Sequence, residues 1–201
     1  MTRHNIENIK AIFQLATLTE RQNGRDWYPN ALEIAETLSE RYGFSGRLKA
    51  IGVIAALSPR NKWERNVQDA DALIAAYVAG GAEQARLTKV CTFGANKEKA
   101  IRILETSVPS ETDILNILSG PKLREFYSCI YGLDDVCIDG HAYCIWKGER
   151  ATLADVPAIG VKLRREIKAD YRAAAEEIGI DASAVQAITW VAWRRLHGVT
   201  K

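Results

Sequence analysis

Taken by the spacing of its apolar positions, the chain is a succession of helical periods punctuated by glycine and proline. Ile6, Ile9, Ile12, Phe13, Leu15, Ala16 and Leu18 predict a first helix over residues 6–19. The polar stretch from Glu20 to Asp26 follows, with Gly24 as a natural break. Trp27, Tyr28 and Pro29 then lead into a second helix over 30–41, closed by Gly43. Residues 48–57, LKAIGVIAAL, are apolar nearly all round, the pattern of a helix buried on every side, and are the expected core helix. Pro59 stops it. The helical period resumes from Val67 to Val78 and ends at Gly80 and Gly81.

The second half continues in the same manner. CTFGANKEKAIRILET is a glycine turn followed by a helix with Lys97 and Lys99 in its first turn. Cations there oppose the helix dipole, so they either cost stability or meet an anion. Ser110 and Asp113 form a capping-box start for a short helix ending at Leu118. After Gly120 and Pro121, Leu123, Phe126, Tyr127, Ile130 and Tyr131 recur at helical spacing until Gly132, and 133–137 return as a loop. Asp139 stands at the N-cap of a helix whose apolar side carries Ala142, Ile145 and Trp146. A loop over 149–160, a basic helix (VKLRREIKADYRAAAEEIG) and a last helix behind an Asp181 cap complete the chain. Arg194 and Arg195 near its end suit the helix dipole. No strand alternation or internal repeat is present, and the expected fold is all-α.

Composition narrows the class. With 201 residues, 47% hydrophobic and 26% charged, the chain can bury a core and form one large domain or two small lobes. A net charge of +2 is too small to draw a polyanion by itself, so local clusters must carry any such claim. No apolar run approaches membrane length and no signal peptide is present. Cys91, Cys129, Cys137 and Cys144 lie inside helical patterns and read as reduced thiols of a soluble, cytoplasmic protein.

Three places carry candidate chemistry. SPRNKWERN sets Arg60, Lys62 and Arg65 around Trp63, with Asn61 and Asn66 supplying amides. Such a turn can touch phosphates and a stacked base, or be an ordinary solvated turn with its indole tucked inward. Asp139 is either a helix cap alone or a carboxylate held anionic by backbone N–H groups for chemistry. Cys137, His141 and Cys144 fall close together but lack a fourth ligand, so no metal is expected. His141 is a second acid–base group beside Asp139 or a packing residue. No phosphate-loop or dinucleotide fingerprint occurs, and no cofactor is expected.

Three stretches, in this order and at roughly this spacing, resemble the helix–hairpin–helix DNA glycosylases of the endonuclease III type. AALSPRNKWERNVQDADALI is similar to their core helix and the turn that enters DNA, and TFGANKEKAIRIL to the glycine turn that follows. LSGPKLREFYSCIYGLDDVCIDGHAYCIWKG resembles their hairpin and aspartate-bearing helix start. The set covers about residues 50–148, and WRRLHG is similar to the end of the same domain. The resemblance implies one two-lobed domain over 1–201 with DNA in its cleft. One lobe would span about 45–140, with the hairpin near 118–124, and the other 1–44 and 141–201. It implies that Asp139 is the catalytic aspartate facing a base flipped from the duplex. Arg60 would fill the gap that base leaves, and the Gly120–Lys122 turn would hold a phosphate.

The departures from that family are specific. Lys122 replaces the hairpin's second glycine, and Pro121 removes one N–H donor. Arg124 falls where bifunctional members place their Schiff-base lysine, and a guanidinium cannot serve; Lys122 would need a shift of register. Lyase activity is therefore not expected. The cysteines of the family's iron–sulfur cluster have no counterpart, so no cluster is expected. AALSPRNKWERN, VCIDGHAYCIWKG and QAITWVAWRRLHG are closer to a phage-associated branch linked to hypermodified thymine, with proposed α-glutamyl- or putrescinyl-thymine pyrophosphorylase activity.

The expectation is thus an enzyme acting on a base extruded from duplex DNA, by monofunctional N-glycosylase chemistry or by substitution at the 5-methyl of a modified thymine. Asp139, His141 and Lys122 are its candidate catalytic residues. Arg60, Asn61, Lys62, Trp63, Asn66, Gly120, Lys122 and Arg124 are its candidate DNA contacts. The partners are duplex DNA carrying a modified base and a small amine or amino-acid co-substrate, with no membrane and a monomeric state. The rival from another class is a non-catalytic DNA-binding protein on the same scaffold.

Overall fold

A computed structural model of the chain describes residues 3–152 and 155–198. Among these residues the secondary structure is helical throughout, without a strand. In chain order the helices are α1 (Arg3–Leu15), α2 (Leu18–Arg41), α3 (Leu48–Leu57), α4 (Trp63–Leu87) and α5 (Gly94–Glu105). They continue with α6 (Glu111–Leu118), α7 (Pro121–Tyr131), α8 (Gly140–Lys147), α9 (Val161–Ile178) and α10 (Ala182–Leu196). No helix among the described residues is long and apolar enough to cross a membrane. The all-α expectation holds.

The chain forms two compact units, Met1–Asn30 with Gly132–Lys201, and Ala31–Tyr131. These boundaries lie near 31 and 131 rather than 45 and 140. The second half of α2 is tied into the Ala31–Tyr131 unit: Arg47 reaches back to Glu36 at 2.8 Å, and Arg41 and Tyr42 both bind Asp71.

In the Ala31–Tyr131 unit the expected core helix is the centre. Every residue of α3 from Ala50 to Leu57 is buried, and α4, α5, α6 and α7 pack around it. Gly52 makes this possible, because a Cβ there would lie 3.0 Å from Ile114 and 3.1 Å from Ile103. Helix α6 opens with the anticipated capping box, in which the Ser110 hydroxyl accepts from the Asp113 N–H and the Asp113 carboxylate accepts from the Ser110 N–H. The glycine pair interrupts α4 as expected, with Gly81 at φ 69°, but helix resumes beyond it to Leu87. Lys97 and Lys99 meet no anion. Their ammonium groups donate to the carbonyls of Arg86 and Leu118, closing the ends of α4 and α6.

In the other unit α1 packs on α8, α9 and α10 around Ile9, Ile138, Ile145, Ile167, Tyr171 and Val185. Here two expected helix limits are wrong. α2 does not wait for residue 30; it begins at Leu18 and runs through both Gly24 and Pro29. Its start is a capping box formed by Thr17 and Glu20, whose side chains exchange hydrogen bonds with each other's backbone N–H. Gly24 is a contact point and not a break, since a Cβ there would stand 2.5 Å from the Ile188 backbone on α10. Asp181 does precede α10 but its side chain makes no capping bond. Arg195 does more than face the helix dipole. It grips Glu20 with two hydrogen bonds of 2.6 and 3.1 Å and donates to the Leu15 carbonyl.

Candidate functional site

Asp139 closes the irregular segment that leads into α8. Val136, Cys137 and Ile138 turn into the core, and Asp139 follows half-buried with an extended backbone, φ −111° and ψ −174°. Its carboxylate accepts from the Ala142 N–H at 2.9 Å, the N-cap bond expected from the sequence. The carboxylate thereby satisfies one of the free N–H donors at the start of α8.

His141, two residues on, brings aromatic neighbours. Its ring meets Trp190 of α10 edge-on at 6.5 Å, and Trp190 meets Trp27 of α2 edge-on at 6.4 Å. The Arg194 guanidinium lies 4.4 Å from the Trp190 ring centre. Behind them the buried Tyr28 hydroxyl donates to the side-chain oxygen of Gln186 at 2.7 Å. α2, α8 and α10 therefore bring two indoles, an imidazole and a guanidinium together, the imidazole two residues after Asp139. Such flat, half-exposed surfaces suit a planar heterocycle. Sequence reading named Trp27 and Tyr28 only as lead-in residues and passed over Gln186 and Trp190. The signal was the Gln186, Trp190, Arg194 spacing of four, one face of a helix end.

Two other ionisable side chains of this unit, Cys144 and Tyr171, are buried. Burial pushes the Cys144 thiol up, aided by the Asp139 charge, and its sulfur sits 3.9 Å from the Ala151 carbonyl. Burial also raises the Tyr171 hydroxyl, which donates to the Ala142 carbonyl. Cys129 and Cys137 are buried as well, while Cys91 is exposed, and none of the four is in a disulfide. The described residues contain no His, Cys, Asp and Glu cluster fit to hold a metal ion. His197 is held below the ordinary histidine value by burial, with the Arg150 and His141 charges adding to it. Asp139 and His141 are both half-buried at the start of α8.

The basic turn belongs to the other unit, between α3 and α4. Arg60 is exposed and adopts the left-handed conformation, φ 58°, which a non-glycine residue takes only when its surroundings hold it there. Asp69 provides the hold. Its carboxylate, buried within the turn, accepts from Asn61 at 2.9 Å, from Arg65 at 2.7 Å and from the Cys91 N–H at 2.7 Å. Thr92 adds a bond to the Pro59 carbonyl. The segment preceding α5 is thereby pinned beside the turn, and Phe93, 49% exposed, lies under the Arg60 guanidinium at 4.9 Å. Lys62 is exposed at the N-cap of α4, and Trp63 is half-buried as its first residue. Asn66 is not a surface contact. It is 1% exposed and its amide donates to the Ile54 carbonyl, so it braces the turn from inside. Asn61 likewise spends its amide within the turn. Nothing local in the sequence marks Phe93 as a partner of Arg60 or Asp69 as the acceptor that ties Asn61, Arg65 and Cys91 together.

In the 118–124 hairpin the left-handed residue is Ser119, φ 51°, and not Gly120, whose missing Cβ would meet nothing closer than 3.8 Å. The Gly120 N–H donates to Leu118, and Pro121 occupies the first position of α7, where a missing N–H costs least. Arg124 donates to the Leu115 carbonyl at 2.8 Å and so helps Lys99 close α6. Lys122 is exposed in the first turn of α7. Lys122 thus belongs to the unit of the hairpin, and Asp139 and His141 to the other.

Residues 1–197 match a family described as a family of unknown function, DUF7178. No curated protein and no solved structure matches the chain.

Proposed function

We propose that this chain, which belongs to the DUF7178 family, is a DNA-base-processing enzyme in which Asp139 acts on a base turned out of the duplex. The observation that carries the reading is the Asp139 carboxylate at the N-cap of α8, with His141 of the same helix turned edge-on to Trp190. A carboxylate there can stabilise positive charge developing on a sugar carbon and orient the attacking water. The resemblance of 50–148 to helix–hairpin–helix glycosylases supports the same role. So does the Arg60 turn, whose exposed guanidinium and Phe93 ring suit a phosphate and an unstacked base.

Monofunctional N-glycosylase chemistry is the first reading. Arg124 cannot form a Schiff base, so strand cleavage by a lyase step is not part of it. A second reaction is suggested by His141, two residues after Asp139, as a candidate base for an incoming amine. In it the amine displaces an activating group carried on the 5-methyl of a modified thymine, and the sugar bond stays intact.

Nucleoside mass spectrometry tests both, on modified and unmodified duplex DNA incubated with the protein or its Asp139→Asn variant. Free base with an abasic site, lost in the variant, supports hydrolysis. A new nucleoside that forms only when an amine is supplied supports substitution. Duplex bound equally well by both proteins, with no product in any DNA, would leave a DNA-binding module.

A further inference from the structure

The segment 133–139 has no regular secondary structure, yet it must deliver Asp139 to the start of α8 in one orientation. Within it the Asp135 N–H donates to the Leu133 carbonyl and the Asp135 carboxylate accepts from the next N–H. α9 adds three further holds. Arg164, Lys168 and Arg172 recur every fourth residue and so share one face of that helix. Arg164 donates to the Ile138 carbonyl at 2.9 Å, the peptide group immediately before Asp139. Lys168 binds the Asp135 carboxylate at 2.5 Å, with both side chains 19% exposed. Arg172 donates to the Asp134 carbonyl at 2.9 Å, and its Nε lies 3.6 Å from the Asp134 carboxylate. Three successive turns of one helix thus hold three points of one loop.

We infer that Arg164 and Lys168 are positioning residues for Asp139, and that the cationic face of α9 serves this loop rather than an external polyanion. The inference rests on the base-processing role proposed for Asp139. The physical reason is geometric. Arg164 holds the carbonyl of the peptide plane whose nitrogen belongs to Asp139, so rotation of that plane would swing the carboxylate off the Ala142 N–H. Lys168 holds the loop three residues before Ile138, through the Asp135 carboxylate. A misplacement of about 1 Å at a reacting group can cost on the order of a hundredfold in rate.

The test uses the full chain with Arg164→Met and Lys168→Met, which keep the alkyl stems and remove the donors, and with Lys168→Arg, which restores one. Hydrogen exchange at the Ala142 N–H reads the capping bond directly, and the Gly148 N–H at the far end of α8 is the reference. The methionine variants should speed Ala142 exchange about tenfold while Gly148 stays within twofold, and Lys168→Arg should recover most of the protection. On DNA, single-turnover rates should fall about tenfold or more with affinity within twofold. Unchanged Ala142 exchange, or equal acceleration of Ala142 and Gly148, would overturn the positioning role. If Ala142 responds but the unaltered protein converts no DNA, the positioning stands and the base-processing role fails. Should Lys168→Met not fold, the exchanged pair Asp135→Lys with Lys168→Asp supplies the same reading.

Discussion

At the scale of single residues, the most informative positions are those whose role the neighbouring sequence does not announce. Gly24 looks like a helix breaker, yet its lack of a Cβ lets α10 approach to 2.5 Å of where that atom would stand. Gly24→Ala should therefore destabilise the protein by about 1–3 kcal/mol through overpacking, seen as a lower denaturant midpoint with an unchanged slope. A variant as stable as the parent would mean that α2 and α10 separate at no cost. Asp69 is the second case. Removing it in Asp69→Ala takes this acceptor from the Cys91 N–H and the Asn61 amide, a loss on the order of 1 kcal/mol for each part-buried hydrogen bond. The same change frees Arg60 from its left-handed conformation. Duplex affinity should then fall together with stability, and affinity unmoved by the substitution would separate Arg60 from DNA contact.

At the scale of elements, helix ends decide the local structure and several were legible. Ser110 with Asp113, Asp139 before α8 and the glycines after α7 and α8 behave as their residue types require. The Thr17 to Glu20 box was equally legible but was masked by the polar run behind it. Its Glu20 has a further partner, Arg195, whose hydrogen bonds hold the carboxyl below the ordinary glutamate value, with the Thr17 N–H adding to the effect. A carboxyl lowered in the folded state stabilises the protein above its unfolded value. That contribution is present at neutral pH and fades as pH falls through the lowered value. Glu20→Gln should thus flatten part of the acid limb of a stability-versus-pH profile while altering the alkaline limb little. An acid limb identical in the variant would show that this pair, with Arg195 partly exposed, is screened out by solvent.

At the scale of the whole molecule, the weak net charge makes the distribution of cations decisive. Many basic side chains are occupied internally: Lys99 and Arg124 close α6, and Arg164, Lys168 and Arg172 hold the loop before Asp139. Arg60, Lys62 and Lys122 are exposed in turns or first helical turns. Duplex binding should weaken with salt on a log–log plot, and Lys62→Ala or Lys122→Ala should each reduce the slope by about one phosphate contact. Arg172→Ala should leave that slope unchanged. Affinity that does not depend on salt would count against every DNA-based role for this protein.

The amino-acid sequence by itself determined the helical class, the core position of α3, and the carboxylate cap on α8. Each depends on interactions within a few residues or on an apolar run with no polar face. It did not determine which residues meet across the fold. Trp190 beside His141, Phe93 beneath Arg60, Asn66 turned inward and the α9 cations on the Asp139 loop all join positions distant in the chain or on separate elements. A cation reads the same in sequence whether it will face solvent or close a helix, because its local period and charge are identical in both cases. Only the tertiary structure, by placing an unpaired carbonyl or carboxylate within its reach, decided between the two.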